Sequence, residues 1–170
     1  MERAVAEDLW MAYGSKAEAH TLARTILFAG VSSECVRSFD SRCIWSRMKT
    51  GSWVIDPTTY GSEVHFVIRG HAQIVIASSG REIILGDLHD GDFTGELSAI
   101  DGKSRSNVIR AVTDVLMARM SAAVFREAID THQIVRDRVL ARLTAEVRNL
   151  IERINMLVTL GVRGRLPPNC

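Results

Sequence analysis

Val64-His65-Phe66-Val67-Ile68-Arg69-Gly70-His71-Ala72-Gln73-Ile74-Val75-Ile76 places a strand-forming run on each side of a short Arg69-Gly70-His71 break. β-Branched and aromatic side chains suit a pleated, half-buried surface, and glycine permits the reversal between two such runs. The same alternation continues outward. Ser78-Ser79-Gly80 reads as a turn, Glu82-Ile83-Ile84-Leu85 resumes a strand, and His89-Asp90-Gly91-Asp92 turns again. Val108 to Val112 and Val115 to Met120 supply two more strands across Thr113-Asp114. Short strands recurring about every ten residues predict an antiparallel sandwich, jelly roll or barrel.

The flanks read differently. Residues 1–42 lack proline and are rich in helix formers, with Ser15 and Glu18 spaced as a capping box and Gly30 as the breaker, so a helix is expected from Ser15. Ser32-Ser33-Glu34 offers a second helix start. Residues 43–120 form the expected β domain. Residues 121–160 contain neither proline nor glycine: Ser121 can cap a short helix through Ala128, and a longer helix is expected from about Gln133 to Gly161. Its apolar residues Leu140, Leu143, Val147, Leu150, Ile154 and Leu157 recur in steps of three and four, the seam of a coiled coil, with Arg138, Arg142, Glu146, Arg148, Glu152 and Arg153 on the flanks. Such a helix outruns a small β domain, so residues 134–160 are expected to pair with a second copy. Residues 161–170 read as a hinge-like tail.

Composition sets limits on function. The chain has 170 residues, 46 % of them hydrophobic, and 21 Lys and Arg against 20 Asp and Glu, a net charge of +1. That balance excludes disorder and gives no electrostatic hold on a polyanion or an anionic membrane. No apolar run approaches the length of a bilayer span, and Met1-Glu2-Arg3 opens no secretory signal, so a cytoplasmic protein is expected. Cys35, Cys43 and Cys170 are odd in number and widely spaced, which fits thiols in a reducing compartment rather than a disulfide or metal framework.

The chemistry concentrates in Gly91-Asp92-Phe93-Thr94-Gly95-Glu96-Leu97-Ser98-Ala99-Ile100, followed by Arg105-Ser106-Asn107-Val108-Ile109-Arg110-Ala111. Gly95 lets the backbone approach a ligand, and the short helical turn expected after it exposes N–H groups suited to an anion. Arg105 can make charge-assisted hydrogen bonds to phosphate oxygens. A carboxylate beside an anion site is intelligible if Glu96 accepts a hydrogen bond from a sugar hydroxyl. Together Glu96 and Arg105 describe a ligand whose phosphate and ribose lie close together. Taken alone, the pair reads equally as an exposed salt bridge of little energetic weight.

Gly-Glu-Leu, Arg-Ser-x-Val about ten residues later, and Arg-Ala-x-Thr-Asp together resemble the phosphate-binding cassette of cyclic nucleotide-binding domains, most closely those of the Crp/Fnr-type, catabolite activator-like regulators. The likeness extends over Leu27-Phe28, Phe66-Val67-Ile68-x-Gly70, Gly80-Arg81-Glu82, Gly91-Asp92-Phe93 and the long helix. It implies an all-β jelly roll (double-stranded β-helix) with flanking N-terminal helices and a long C-terminal dimerisation helix. It also implies a sensor of cyclic AMP or cyclic GMP, with no catalytic residue, metal or further cofactor. Carried over residue by residue, Glu96 takes the ribose 2′-hydroxyl, Arg105 pairs with the cyclic phosphate and Ser106 reaches phosphate or base. Gly95 and the backbone of Leu97 and Ser98 complete the cradle. Leu85 and Leu88 from the roll, with Leu150 and Ile151 from the long helix, are expected against the base.

The likeness breaks at two points. The family's polar pair on the long helix is replaced here by Leu150 and Ile151, which removes a base contact. The helix-turn-helix domain that follows in the family has no counterpart in Val162 to Cys170, so this chain is not expected to bind DNA unless such a domain exists beyond it. Two rivals share the fold. Metal-dependent cupin enzymes require clustered histidines, and His20, His65, His71, His89 and His132 include no His-x-His pair. A sensor of haem, redox state or another small effector would need an axial ligand such as His65 or His71, or clustered cysteines.

Overall fold

A computed structural model of the chain describes residues 20–55, 61–78, 81–103 and 108–163. Eight strands form two four-stranded antiparallel sheets. They are β1 (Ile44–Met48), β2 (Trp53–Ile55), β3 (Val64–Arg69), β4 (Ala72–Ser78), β5 (Arg81–Leu88), β6 (Phe93–Thr94), β7 (Val108–Ala111) and β8 (Val115–Met120). One sheet runs β1-β8-β3-β6 and the other β2-β7-β4-β5, so the first and last strands are neighbours and the chain wraps as a jelly roll. The long pairing of β4 with β5 runs from Ala72 opposite Leu88 to Ser78 opposite Arg81.

The two faces of β3 and β8 explain their nearly unbroken burial. Val64, Phe66 and Ile68, with Leu116, Ala118 and Met120, face the helices, where they join Phe28, Phe39 and Phe125 in one core. Val67, Val115 and Met117 face the opposite way and meet Ala72, Leu88 and Ile109 between the sheets. Side chains alternate across a strand, so a strand covered on both faces must be apolar throughout.

Helix α1 (Ser33–Asp40) starts at Ser32, whose hydroxyl accepts from the Cys35 N–H, as the sequence suggests. The expected helix from Ser15 to Gly30 is not continuous. Residues 1–19 lie outside the described residues, and the remainder holds only a 3₁₀ turn, Leu22–Arg24. The cause is tertiary. The Leu22 N–H donates to Asp40 Oδ1 at 2.8 Å, the Ile26 N–H donates to the Gly91 carbonyl at 3.0 Å, and Arg138 Nη1 donates to the carbonyls of Leu27 and Ala29. Backbone groups that a helix would use internally are committed elsewhere.

Helix α2 (Glu96–Asp101) lies between Gly95 and Gly102, both left-handed, at φ +96° and +73°. Helix α3 (Ala122–Thr131) is capped by Ser121. Helix α4 (Gln133–Arg163) follows for 31 residues, about 46 Å at 1.5 Å per residue. It passes Gly161, which therefore does not end it; one glycine weakens a helix without breaking its hydrogen bonds. Val135 and Val139 dock α4 on the core, with Leu143 partly buried beside them. Beyond Glu146 every described side chain of α4 is exposed. No helix among the described residues is long and apolar enough to cross a membrane.

Candidate functional site

β5, β6, α2 and α4 enclose a cavity of about 630 Å³, within the range of small-ligand sites. The roll contributes Ile74, Leu85, Gly86, Asp87, Leu88 and Thr94, and the segment around α2 adds Gly95, Glu96, Leu97, Ser98, Asp101 and Lys103. Helix α4 closes one side with Arg142, Glu146, Asn149, Leu150 and Arg153. Of the residues expected from the sequence, Gly95, Glu96, Leu97, Ser98, Leu85, Leu88 and Leu150 therefore line one cavity. Ile151 is not among the lining residues and is exposed on α4. Arg105 and Ser106 lie outside the described residues.

Gly95 makes the geometry possible. Its φ of +96° is costly for a residue with a Cβ and open to glycine. That turn sends the chain from β6 into α2 with Glu96 pointing inward. Glu96 is 4 % exposed, and its Oε2 has no hydrogen-bond partner. Burial pushes its carboxyl above the ordinary value, against the pull of its own and Gly95's backbone N–H groups and of the Arg142 charge, while Glu146 adds to the rise. A buried polar atom without a partner is rare because it forfeits water and gains nothing in return. Such a carboxylate on a cavity wall is an acceptor awaiting a donor.

Arg142 is the cation beside it. Its Nε lies 3.7 Å from Glu96 Oε1 and 3.3 Å from Glu146 Oε1 one helical turn on. Its guanidinium stands 4.6 Å from the centre of the Phe93 ring. Phe93 is buried and packs on Phe66 with ring centres 5.8 Å apart, so the arginine rests on the core itself.

By sequence Arg142 falls on the flanks of the apolar seam of α4. A signal was present. Val135, Val139, Arg142, Glu146, Asn149 and Arg153 recur in steps of four and three, a second heptad stripe one residue away from the apolar seam. The stripe is apolar where it meets the core and becomes polar where it passes the cavity.

Residues 45–132 match the family model of the cyclic nucleotide-binding domain. The chain belongs to that family. This cyclic nucleotide-binding domain is 28 % identical over 130 residues to the cAMP-activated global transcriptional regulator CRP of Escherichia coli, covering 75 % of this chain and 62 % of the relative. It is 31 % identical over 106 residues to the cAMP-activated global transcriptional regulator Vfr of Pseudomonas aeruginosa, covering 59 % of this chain and 50 % of Vfr. The chain thus spans about 62 % of the length of the first of these relatives. Its fold superposes on the crystal structure of the Thermus thermophilus catabolite activator protein with a TM-score of 0.68, at 22 % identity, covering 78 % of this chain and 62 % of that one. The jelly roll with a long C-terminal helix is therefore the family's fold. Among the described residues no group of three or more His, Cys, Asp or Glu could hold a metal ion.

Proposed function

We propose that this domain is a receptor for a purine cyclic nucleotide within a Crp-type transcriptional regulator, and that it performs no catalysis. One observation carries the reading: the buried, underbonded Glu96 carboxylate behind the left-handed Gly95, on the wall of a nucleotide-sized cavity. A sugar hydroxyl supplies the missing donor. Arg105, on the family likeness, supplies the charge opposite the cyclic phosphate, with Ser106 beside it. Leu85, Leu88 and Leu150 offer the base an apolar bed, and shape rather than a dedicated hydrogen bond then decides much of the base preference.

The relatives named above are cAMP-activated, which favours cyclic AMP over cyclic GMP, by a modest margin given Leu150 and Ile151 on α4. Leu140, Val147, Leu150, Ile154 and Leu157 are each more than half exposed on α4. Together with the partly buried Leu143 they form the seam of a homodimer. Leu150 belongs to both the cavity and the seam, so occupancy and helix packing are coupled. A DNA-binding domain, where one follows, would receive that change.

Calorimetric titration of the purified chain with cyclic AMP and cyclic GMP tests the reading. Saturable binding of either at one site per chain, with no hydrolysis of the nucleotide, is the expected result. Binding of neither, together with a haem absorption band in the purified protein, would favour the effector-sensor alternative instead.

A further inference from the structure

Helix α4 meets the rest of the domain at two arginines one helical turn apart. Val135, Arg138, Val139 and Arg142 share one of its faces. Val135 and Val139 are buried in the core, and the Arg142 guanidinium rests on the Phe93 ring at the start of β6. The half-buried Arg138 is used differently. Its Nη1 donates to the carbonyls of Leu27 and Ala29, and among the described residues no carboxylate pairs with it. A charged donor is thus committed to the backbone of segment 22–31. That segment is a strut. At its near end the Leu22 N–H donates to Asp40 Oδ1 at 2.8 Å. In its middle the Ile26 N–H donates to the Gly91 carbonyl at 3.0 Å, and a Cβ on Gly91 would lie 3.0 Å from the Arg24 carbonyl oxygen, so the two backbones touch. Gly91 N–H donates to the Val67 carbonyl and Val67 N–H to the Asp92 carbonyl, each at 2.8 Å, which pins that stretch to β3. Phe93, Gly95 and Glu96 follow at once. Through the strut, Arg138 ties α4 to the same stretch that Arg142 touches directly.

Apolar contacts are non-directional, so Val135 and Val139 hold α4 on the core without fixing its tilt. Hydrogen bonds have a direction and do fix it. With Arg142 as pivot, Arg138 lies about 6 Å along the axis on one side and Arg153 about 16 Å on the other. A slip of about 1 Å at Arg138 then moves the helix by about 3 Å at Arg153. Glu146, Asn149, Leu150 and Arg153 line the cavity beyond that pivot, and the described side chains of α4 after Glu146 are all exposed, so core packing does not hold that end in place. We infer that Arg138 is a positioning residue for the ligand site: it sets the angle at which α4 closes the cavity. It does so without reaching the ligand, since it is not among the lining residues. This rests on the cyclic nucleotide reading of the site.

The test is calorimetric titration of the full chain with cyclic AMP and with 2′-deoxy cyclic AMP. Arg138→Met should raise both dissociation constants about tenfold, or ~1.4 kcal/mol, and leave their ratio unchanged because no ligand contact is lost. Arg138→Lys should recover most of the affinity: both bonds leave one nitrogen, and an ammonium can also donate to two carbonyls. Arg138→Gln, neutral and shorter, serves if the methionine variant fails to fold. A role confined to folding would instead lower the number of sites per chain at an unchanged dissociation constant, which the same titration reads separately. That result overturns the positioning role, as does wild-type affinity in the methionine or glutamine variant. A lysine variant as weak as the methionine one, or a loss restricted to the ribonucleotide, overturns it too, and in each case cyclic nucleotide binding stands. Absence of cyclic nucleotide binding by the wild type overturns both.

Discussion

Replacing Glu96 with glutamine should stabilise the empty protein while weakening the complex. The carboxylate is 4 % exposed, its Oε2 is unpartnered and burial raises its pKa above the ordinary 4.5. An acid whose folded pKa exceeds its unfolded value favours the folded state when protonated. That contribution is complete below the unfolded pKa and is lost as pH rises through the folded one. Above that folded pKa the native state carries an ionised, underbonded group. A buried polar atom left without a partner costs about 1–3 kcal/mol, offset in part by Arg142 at 3.7 Å. Glutamine removes the charge at nearly constant size, and Arg142 keeps Glu146 as counter-ion.

The expected net gain is about 1 kcal/mol at neutral pH, worth ~2–4 °C in Tm for a domain of this size. The gain should shrink as pH falls through the folded pKa toward 4.5, where the wild-type carboxyl becomes neutral as well. Urea unfolding without ligand, at neutral pH and near the ordinary carboxyl pKa, reads the stability. Nucleotide titration at neutral pH should show affinity lower by about 1–2 kcal/mol, because a charged acceptor becomes neutral. A lower unfolding midpoint at neutral pH would refute the reasoning, since the Arg142 ion pair would then outweigh the burial of Glu96. A stability difference that ignores pH would refute it equally.

Arg105→Ala should cost about 2–5 kcal/mol of nucleotide affinity by leaving the phosphate charge without its partner. Arg105→Lys should also lose affinity because a point charge cannot make the paired contact; unchanged titrations would remove Arg105 from the site. Gly70→Ala should destabilise the roll by at least ~2 kcal/mol, because φ is +106° and a Cβ would sit 2.4 Å from the Asp114 carbonyl oxygen and 3.0 Å from Val115 Cα; thermal unfolding at the wild-type temperature would contradict that contact. Val147→Glu should yield a monomer by light scattering that still binds nucleotide, with an affinity shifted from that of the wild type because occupancy and helix packing are coupled, since it places like charges opposite each other across the seam; a dimeric variant would move the seam elsewhere on α4.

Much of the architecture is local, and so it was legible in the sequence. Strands β3, β4 and β8 announce themselves through runs of β-branched and other apolar residues bounded by turns, α1 and α3 through serine caps, and α4 through its heptad seam. The Gly95-Glu96 step was legible too, because glycine is the residue that opens the left-handed backbone found there. Tertiary structure decided the rest. Leu22 to Leu27 has helix-forming residues, yet Asp40, Gly91 and Arg138 take up its backbone groups. Strand β2 is three residues long and exists through its pairing with β7. Arg142 has the sequence character of a surface charge. It becomes part of the cavity because the roll returns Phe93 and Glu96 beneath it. Helix propensity, caps and strand alternation act over a few neighbouring residues. The partners that convert a flank arginine into a cavity-lining residue lie more than forty positions away along the chain, and only the closed fold brings them together.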